Sequence, residues 1–267
     1  MIIDGKAIAE DIYKALATER ARFVHTPKLG IVVVGANPVI ESFVRIKARA
    51  AGRLNIEIVR IDLPAESATE FVANEVRRLA NATNAIIVQL PMPKTIDTNT
   101  VLSAIPPEKD VDALNPTIPD DKHPVFAPVA LAVVELLQRS RVAIQGTRTL
   151  VVGAGRLVGA PSAALLKRLG ANVSMFTLQG GSIHDLKDAD IIVLGAGNPG
   201  FIKPEHIKMG AVIIDAGASE SQGRVVGDAD PACATKASVF TPVPGGVGPV
   251  AVAMIFKNLF DLLESTR

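Results

Sequence analysis

The stretch "SFVRIKARAAG" (42–52) has the composition of a helix, and Gly52 is a natural stop. Four residues separate Phe43 from Lys47, so both fall on one helical face. By itself this pairing is a lysine whose aliphatic stem covers apolar surface while its ammonium reaches water. Burial of the same amine would lower its pKa and make it a proton carrier near neutral pH. A second chemistry-bearing stretch is "VVGAGRLVGAP" (151–161), with Gly153, Gly155 and Gly159 after an apolar β-branched run and ahead of a helical pattern. Glycines at a strand-to-helix turn let backbone N–H groups reach a pyrophosphate at the helix N-terminus. Without a ligand the same spacing makes a tight turn. Val158 completes the loop, and Arg156 inside it either meets a 2′-phosphate or stands as a solvated side chain. The next strand ends in "MFTLQGG" (175–181), where Thr177 stands and the acidic ribose ligand of an NAD site is missing. These features favour NADP and leave NAD as the alternative.

Such groups need elements to hold them. In the first half, apolar runs "LGIVVVG" (29–35), "IEIVRIDL" (56–63) and "AIIVQLPMP" (85–93) alternate with helical patterns at 42–52 and 69–82, the second carrying Phe71, Val72, Val76 and Leu79. Strand–helix–strand repetition predicts a parallel sheet with helices on both faces. The proline-rich segment 106–128 cannot hold regular structure for long. A helix is expected over 129–140. A second α/β series follows: strands at 148–155, 172–176, 190–197 and 210–217, and a helix at 159–170. Gly195, Gly197 and Gly217 end strands in this series, so the backbone there can approach a ligand closely. A Pro/Gly loop, "FTPVPGGVGP" (240–249), precedes a final amphipathic helix at 250–265.

Composition narrows the function classes. With 267 residues the chain can bury a real core, and 28 Lys plus Arg against 27 Asp plus Glu speaks for neither a nucleic-acid nor a membrane-surface partner. Cys233 is the single cysteine, which fits a reducing cytoplasm, and four scattered histidines make a poor metal set. The start "MIIDGKAIAEDI" carries charges where a signal peptide would be apolar, and no apolar run reaches membrane-spanning length.

Several stretches line up in order: "IIDGKAIA" (2–9), "VVGANP" (33–38), "FVRIK" (43–47), "VQLPMP" (88–93), "PEKDVDA" (107–113), "VVGAGRLVGAP" (151–161), "GAVIIDAG" (210–217), "VVGD" (225–228) and "TPVPGGVGP" (241–249). In these the chain resembles, nearly end to end, the methylenetetrahydrofolate dehydrogenase/methenyltetrahydrofolate cyclohydrolase family. The resemblance implies two α/β lobes: a folate-binding catalytic domain of residues 1–138 plus 249–267, completed by the C-terminal helix, and a Rossmann-like dinucleotide domain of residues 139–248, with the active site in the cleft. It implies oxidation of 5,10-methylene-tetrahydrofolate by NADP, hydrolysis of the methenyl product to 10-formyl-tetrahydrofolate, and a cytoplasmic homodimer. The family's YxxxK lysine falls on Lys47, the Gln of VQLP on Gln89, and the pterin-binding Asp of KDVDG on Asp112. Phe43, Asp112, Pro244, Gly245 and Gly246 fall at the substrate. Gly153, Gly155, Arg156, Val158, Gly159, Thr177, Gly195, Gly197 and Gly217 fall at the cofactor. No metal is implied.

The chain departs from the family pattern at ligand-facing positions. Phe43 replaces the motif tyrosine, and Tyr13 is the only tyrosine present. Ala113 replaces the glycine of KDVDG, "APVA" (127–130) replaces TPxG, Ala154–Gly155 replaces the Arg-Ser of the nucleotide loop, and Val250–Ala251 replaces Met-Thr. These departures leave open a dehydrogenase without hydrolysis, a paralogue shifted in substrate or cofactor, and a non-catalytic folate- or nucleotide-binding protein. Retention of Lys47, Gln89 and Asp112 together speaks against the last.

Overall fold

The computed structural model describes residues 1–119, 122–177, 180–221 and 224–265. Leu178 and Gln179 of "MFTLQGG" and Asp120 and Asp121 of the proline-rich segment lie outside the described residues. The chain divides into two compact units, Ile12–Phe126 with Ile255–Arg267, and Met1–Asp11 with Ala127–Met254.

After helix α1 (Gly5–Arg20) come β1 (Lys28–Val34), α2 (Pro38–Arg53), β2 (Glu57–Leu63), α3 (Thr69–Ala82), β3 (Ala85–Val88) and the short α4 (Thr98–Leu102). The three strands form a parallel sheet in the order β2-β1-β3. β1 and β3 are buried along almost their whole length, as continuous Val/Ile runs of a two-sided parallel sheet should be. Their core includes Val32, Val34, Val76, Leu79, Ile86, Val88, Leu102 and Ile105.

Two expectations for this unit need correction. Helix α2 passes through Gly52 to Arg53, because the left-handed residue after it is Asn55 (φ 50°). Its start is fixed by Asn37, whose side chain accepts the N–H groups of Val39 and Ile40, with Pro38 at the first helical position. In α3 the buried stripe is Val72, Ala73, Val76, Leu79 and Ala80, whereas Phe71 lies one step off the stripe and is exposed. Helix α4, capped by Asp97, has no long apolar period to announce it.

The other unit begins with α5 (Pro128–Arg139), then β4 (Arg148–Val152), α6 (Gly159–Arg168), β5 (Asn172–Phe176), β6 (Ile191–Leu194), β7 (Val212–Asp215), the antiparallel pair β8 (Ser219–Ser221) and β9 (Arg224–Val226), and β10 (Val239–Phe240). Five of these strands make a parallel sheet ordered β10-β7-β6-β4-β5. The order reverses at β4, so the carboxyl ends of β4 and β6 flank the crevice where doubly wound sheets bind ligands. The strands are shorter than their apolar runs suggest, since the terminal glycines belong to the loops. Residues Met1 to Ile3 pair with β10 through Ile3 N–H to the Phe240 carbonyl and Phe240 N–H to the Met1 carbonyl, each 2.9 Å.

Helix α7 (Val247–Ser265) starts three residues before the expected 250. Pro249 is tolerated there because first-turn N–H groups have no helical partner.

Candidate functional site

The lysine site is built entirely within the unit Ile12–Phe126 with Ile255–Arg267. Lys47, half-buried on α2, donates from Nζ to Gln89 Oε1 at 2.7 Å. Gln89 follows β3, and its N–H extends the ladder to the Val32 carbonyl at 2.9 Å. Its Nε2 donates to the Leu90 carbonyl at 2.9 Å, which turns Oε1 toward the lysine. Gln89 is 7% exposed. Burial lowers the Lys47 pKa from the ordinary lysine range, and the negative charge of Asp112 resists that shift. Burial likewise raises Asp112 to about 6, with Lys47 pulling it down and Asp110 pushing it up. One turn before Lys47, Phe43 is 43% exposed and brings an apolar ring without a hydroxyl.

Asp112 rides on a loop ordered by groups that sequence reasoning missed. Asp110, 1% exposed, accepts the N–H groups of Leu114 and Asn115 at 2.8 Å and of Asp112 at 3.3 Å. Asn115 Nδ2 donates to the Ile105 carbonyl at 2.8 Å. Asn258 of α7, fully buried, donates from Nδ2 to the carbonyls of Val111 and Phe126, both at 2.8 Å. The turn-forming power of Asp110 is a legible signal in "KDVDA". Asn258, 147 residues from Val111, leaves none. Ala113 holds a left-handed backbone (φ 52°) in this loop.

The glycine loop lies within Met1–Asp11 with Ala127–Met254. Gly153 turns the chain at φ 97° and donates to the Phe176 carbonyl at 2.8 Å. A Cβ on Gly159 would stand 1.9 Å from the Gly153 carbonyl oxygen, and one on Gly195 would stand 2.3 Å from Val158 Cγ1. Gly153, Val158, Gly159 and Gly195 are thus packed together. Among the described residues, the N–H groups of Ala154, Gly155 and Leu157 make no hydrogen bond, and space around Gly155 is open. Exposed donors ahead of α6 suit a pyrophosphate. Arg156 is exposed, and Thr177 is half-buried at the end of β5, its N–H on the Gly180 carbonyl at 2.8 Å. Gly197 donates its N–H to Asp228, and Gly217 packs against the Asp228 carboxylate.

Pro244, Gly245 and Gly246 form the turn before α7, with Gly245 at φ 107° and the Gly246 N–H on the Pro242 carbonyl at 2.8 Å. Gly5 packs so closely on this turn that a Cβ there would stand 1.8 Å from the Gly246 carbonyl oxygen. Asp4 caps the adjoining helix start through the N–H groups of Lys6 and Ala7 at 3.0 Å.

Comparison with known proteins gives two family matches: the tetrahydrofolate dehydrogenase/cyclohydrolase catalytic domain over residues 3–112, and the NAD(P)-binding domain of the same enzymes over residues 127–267. The chain belongs to the tetrahydrofolate dehydrogenase/cyclohydrolase family. It is 40% identical to the bifunctional protein FolD of Methanoculleus marisnigri, covering 97% of this chain and 95% of that one. Among solved structures it resembles the bifunctional FolD enzyme of Campylobacter jejuni (TM-score 0.94, 27% identity, 100% and 99% coverage). It also resembles the methylenetetrahydrofolate dehydrogenase-cyclohydrolase of Trypanosoma brucei complexed with NADP cofactor and inhibitor (TM-score 0.92, 35% identity, 100% and 98% coverage). Family membership matches the chemistry of these groups: a desolvated lysine amine, a carboxylate of raised pKa, and an exposed amide cradle before a helix. Among the described residues no helix is long and apolar enough to cross a membrane, and no group of three or more His, Cys, Asp or Glu side chains is arranged to hold a metal ion.

Proposed function

We propose that this protein oxidises 5,10-methylene-tetrahydrofolate to the 5,10-methenyl form with NADP and hydrolyses that product to 10-formyl-tetrahydrofolate. The observation carrying this reading is the 2.7 Å bond from a desolvated Lys47 amine to Gln89, in a chain of this family.

NADP, when bound, supplies the hydride acceptor. Loss of hydride from the methylene bridge leaves a cation shared by two nitrogens, so this step needs position more than it needs a base. With NADP bound, the N–H groups of Ala154, Gly155 and Leu157 would hold the pyrophosphate, with Val158, Gly159, Thr177, Gly195, Gly197 and Gly217 shaping the site and the Arg156 side chain meeting the 2′-phosphate. Asp112, ionised, grips the amino-pyrimidinone edge of the pterin with two parallel hydrogen bonds. Phe43 and the turn Pro244–Gly246 complete the substrate contacts.

In hydrolysis, neutral Lys47 takes a proton from water as its oxygen bonds to the methenyl carbon. As the five-membered ring opens, Lys47 returns that proton to the departing nitrogen, and the hydroxyl proton lost as the formyl C=O forms passes to solvent. Gln89 aims the amine. The missing hydroxyl at Phe43 favours a dehydrogenase that outruns its cyclohydrolase. We assign residues 1–138 with 249–267 to folate binding and 139–248 to the dinucleotide, and a cytoplasmic homodimer to the whole. The family resemblance supports the dimer, and a single buried cysteine supports a reducing compartment.

The test is a spectrophotometric assay with 5,10-methylene-tetrahydrofolate and each nicotinamide cofactor, followed by detection of 10-formyl product. Reduced NADP must appear with the methenyl absorbance. Absence of both with NADP and with NAD would sink the reading.

A further inference from the structure

Two buried carboxylates take no part in the chemistry above. Asp215 ends β7 and is 1% exposed, and Asp228, the last residue of "VVGD", is fully buried. Among the described residues no salt bridge neutralises Asp228. Its charge is met instead by three consecutive backbone amides: Oδ2 accepts from Ala196 at 2.7 Å and Gly197 at 3.2 Å, and Oδ1 accepts from Asn198 at 2.7 Å. Successive N–H groups converging in this way form an anion nest. Here the anion is the chain's own. Ala196, Gly197 and Asn198 face solvent on their other side.

The arrangement needs two glycines. A Cβ on Gly217 would stand 2.4 Å from Asp228 Cγ, and one on Gly227 would stand 2.2 Å from Asp215 Oδ2. The nest also continues into the glycine loop. A Cβ on Gly153 would stand 2.5 Å from the Gly195 carbonyl oxygen, and Gly195 itself packs on Val158. The segment 195–198 is therefore a backbone support for residues 153–158, and Asp228 fixes the support.

We infer that Asp228 is a positioning residue for dinucleotide binding: its carboxylate fills the nest at the end of β6, so loop 195–198 acts as a buttress while phosphate recognition falls to residues 154–157. The inference rests on the proposed NADP site at the glycine loop.

The experiment uses the full-length enzyme. Asp228→Asn keeps one acceptor and turns an amide N–H₂ toward the donors of Ala196 and Gly197. Charge-assisted bonds of this kind are strong, so Kd and KM for NADP should rise about tenfold or more, with kcat at saturating NADP within about threefold of the parent. Hydrolysis of methenyl-tetrahydrofolate uses no NADP and should keep its rate and KM. In Asp228→Ala the emptied nest should accept formate, so tens of millimolar formate should lower the NADP KM of that variant and leave the parent unchanged. NADP affinity unaltered in Asp228→Asn overturns the inference. So does a parallel loss of hydrolysis and NADP binding without formate rescue, which marks a role in the whole fold. If the parent itself neither binds nor reduces NADP, the proposed function fails first, and the inference falls with it.

Discussion

Lys47 Nζ and Gln89 Oε1 lie 2.7 Å apart although 42 residues separate them in the chain. The bond joins a helix to the end of a strand and takes the only acceptor oxygen of the Gln89 side chain. Phe43, one turn earlier on α2, has no polar atom to add a second restraint on the amine.

That geometry predicts a split between the two activities. A tyrosine hydroxyl at position 43 would restrain the amine by a further hydrogen bond. Well-placed proton transfer contributes about 100- to 10,000-fold. Phe43→Tyr should therefore raise methenyl hydrolysis about tenfold and hydride transfer by less. Lys47→Met should abolish hydrolysis. Stopped-flow rates for the two steps decide it: equal gains in both, or no gain in either, would remove the hydroxyl from the account.

Asp112 predicts opposite pH trends for activity and stability. The folded chain keeps its proton up to about pH 6, whereas an unfolded aspartate releases it near 3.8. The folded state binds more protons across that window, so stability falls as pH rises from about 4 to about 6. Folate affinity should rise over the same range as the carboxylate ionises. Asp112→Asn should stabilise the protein at pH 7.5 by about 1–2 kcal/mol, change little at pH 4, and weaken folate binding far more than NADP binding. Melting curves at both pH values with calorimetric titration test this. A variant that keeps its folate affinity would contradict the pterin role.

Ala113 sits in the left-handed region at φ 52°. A Cβ there costs about 1–2 kcal/mol relative to glycine, partly offset by the greater freedom of glycine in the unfolded chain. Ala113→Gly should stabilise by about 0.5–1 kcal/mol and raise the melting temperature by about 2 °C. A lower melting temperature would show that the loop tolerates alanine without strain.

Asn258→Ala strips the Val111 and Phe126 carbonyls of their buried donor. The cost should be about 2–3 kcal/mol. Because Val111 adjoins Asp112, KM for folate should rise while Kd for NADP stays put. An unchanged folate KM in a destabilised variant would leave Asn258 a purely structural role.

What the sequence by itself determined is local. Continuous Val/Ile runs bounded by glycines specified buried parallel strands, and apolar residues at helical spacing specified α3 to the residue. Gly153, Gly155 and Gly159 after a strand marked a loop of close backbone approach, because only glycine permits it. Tertiary structure decided everything that depends on residues distant in the chain. Phe71 matched the helical pattern, yet the core took Ala73 and Ala80 because packing selects the stripe facing the sheet. Lys47 was legible as a lysine on a helix; its lowered pKa comes from burial, against the opposing charge of Asp112, and its aim from a bond to Gln89, neither of them a sequence neighbour. Asp228 and Asn258 looked like ordinary polar residues. Their partners are backbone groups about 30 and more than 130 residues away, and backbone groups carry no side-chain signature that a sequence could display.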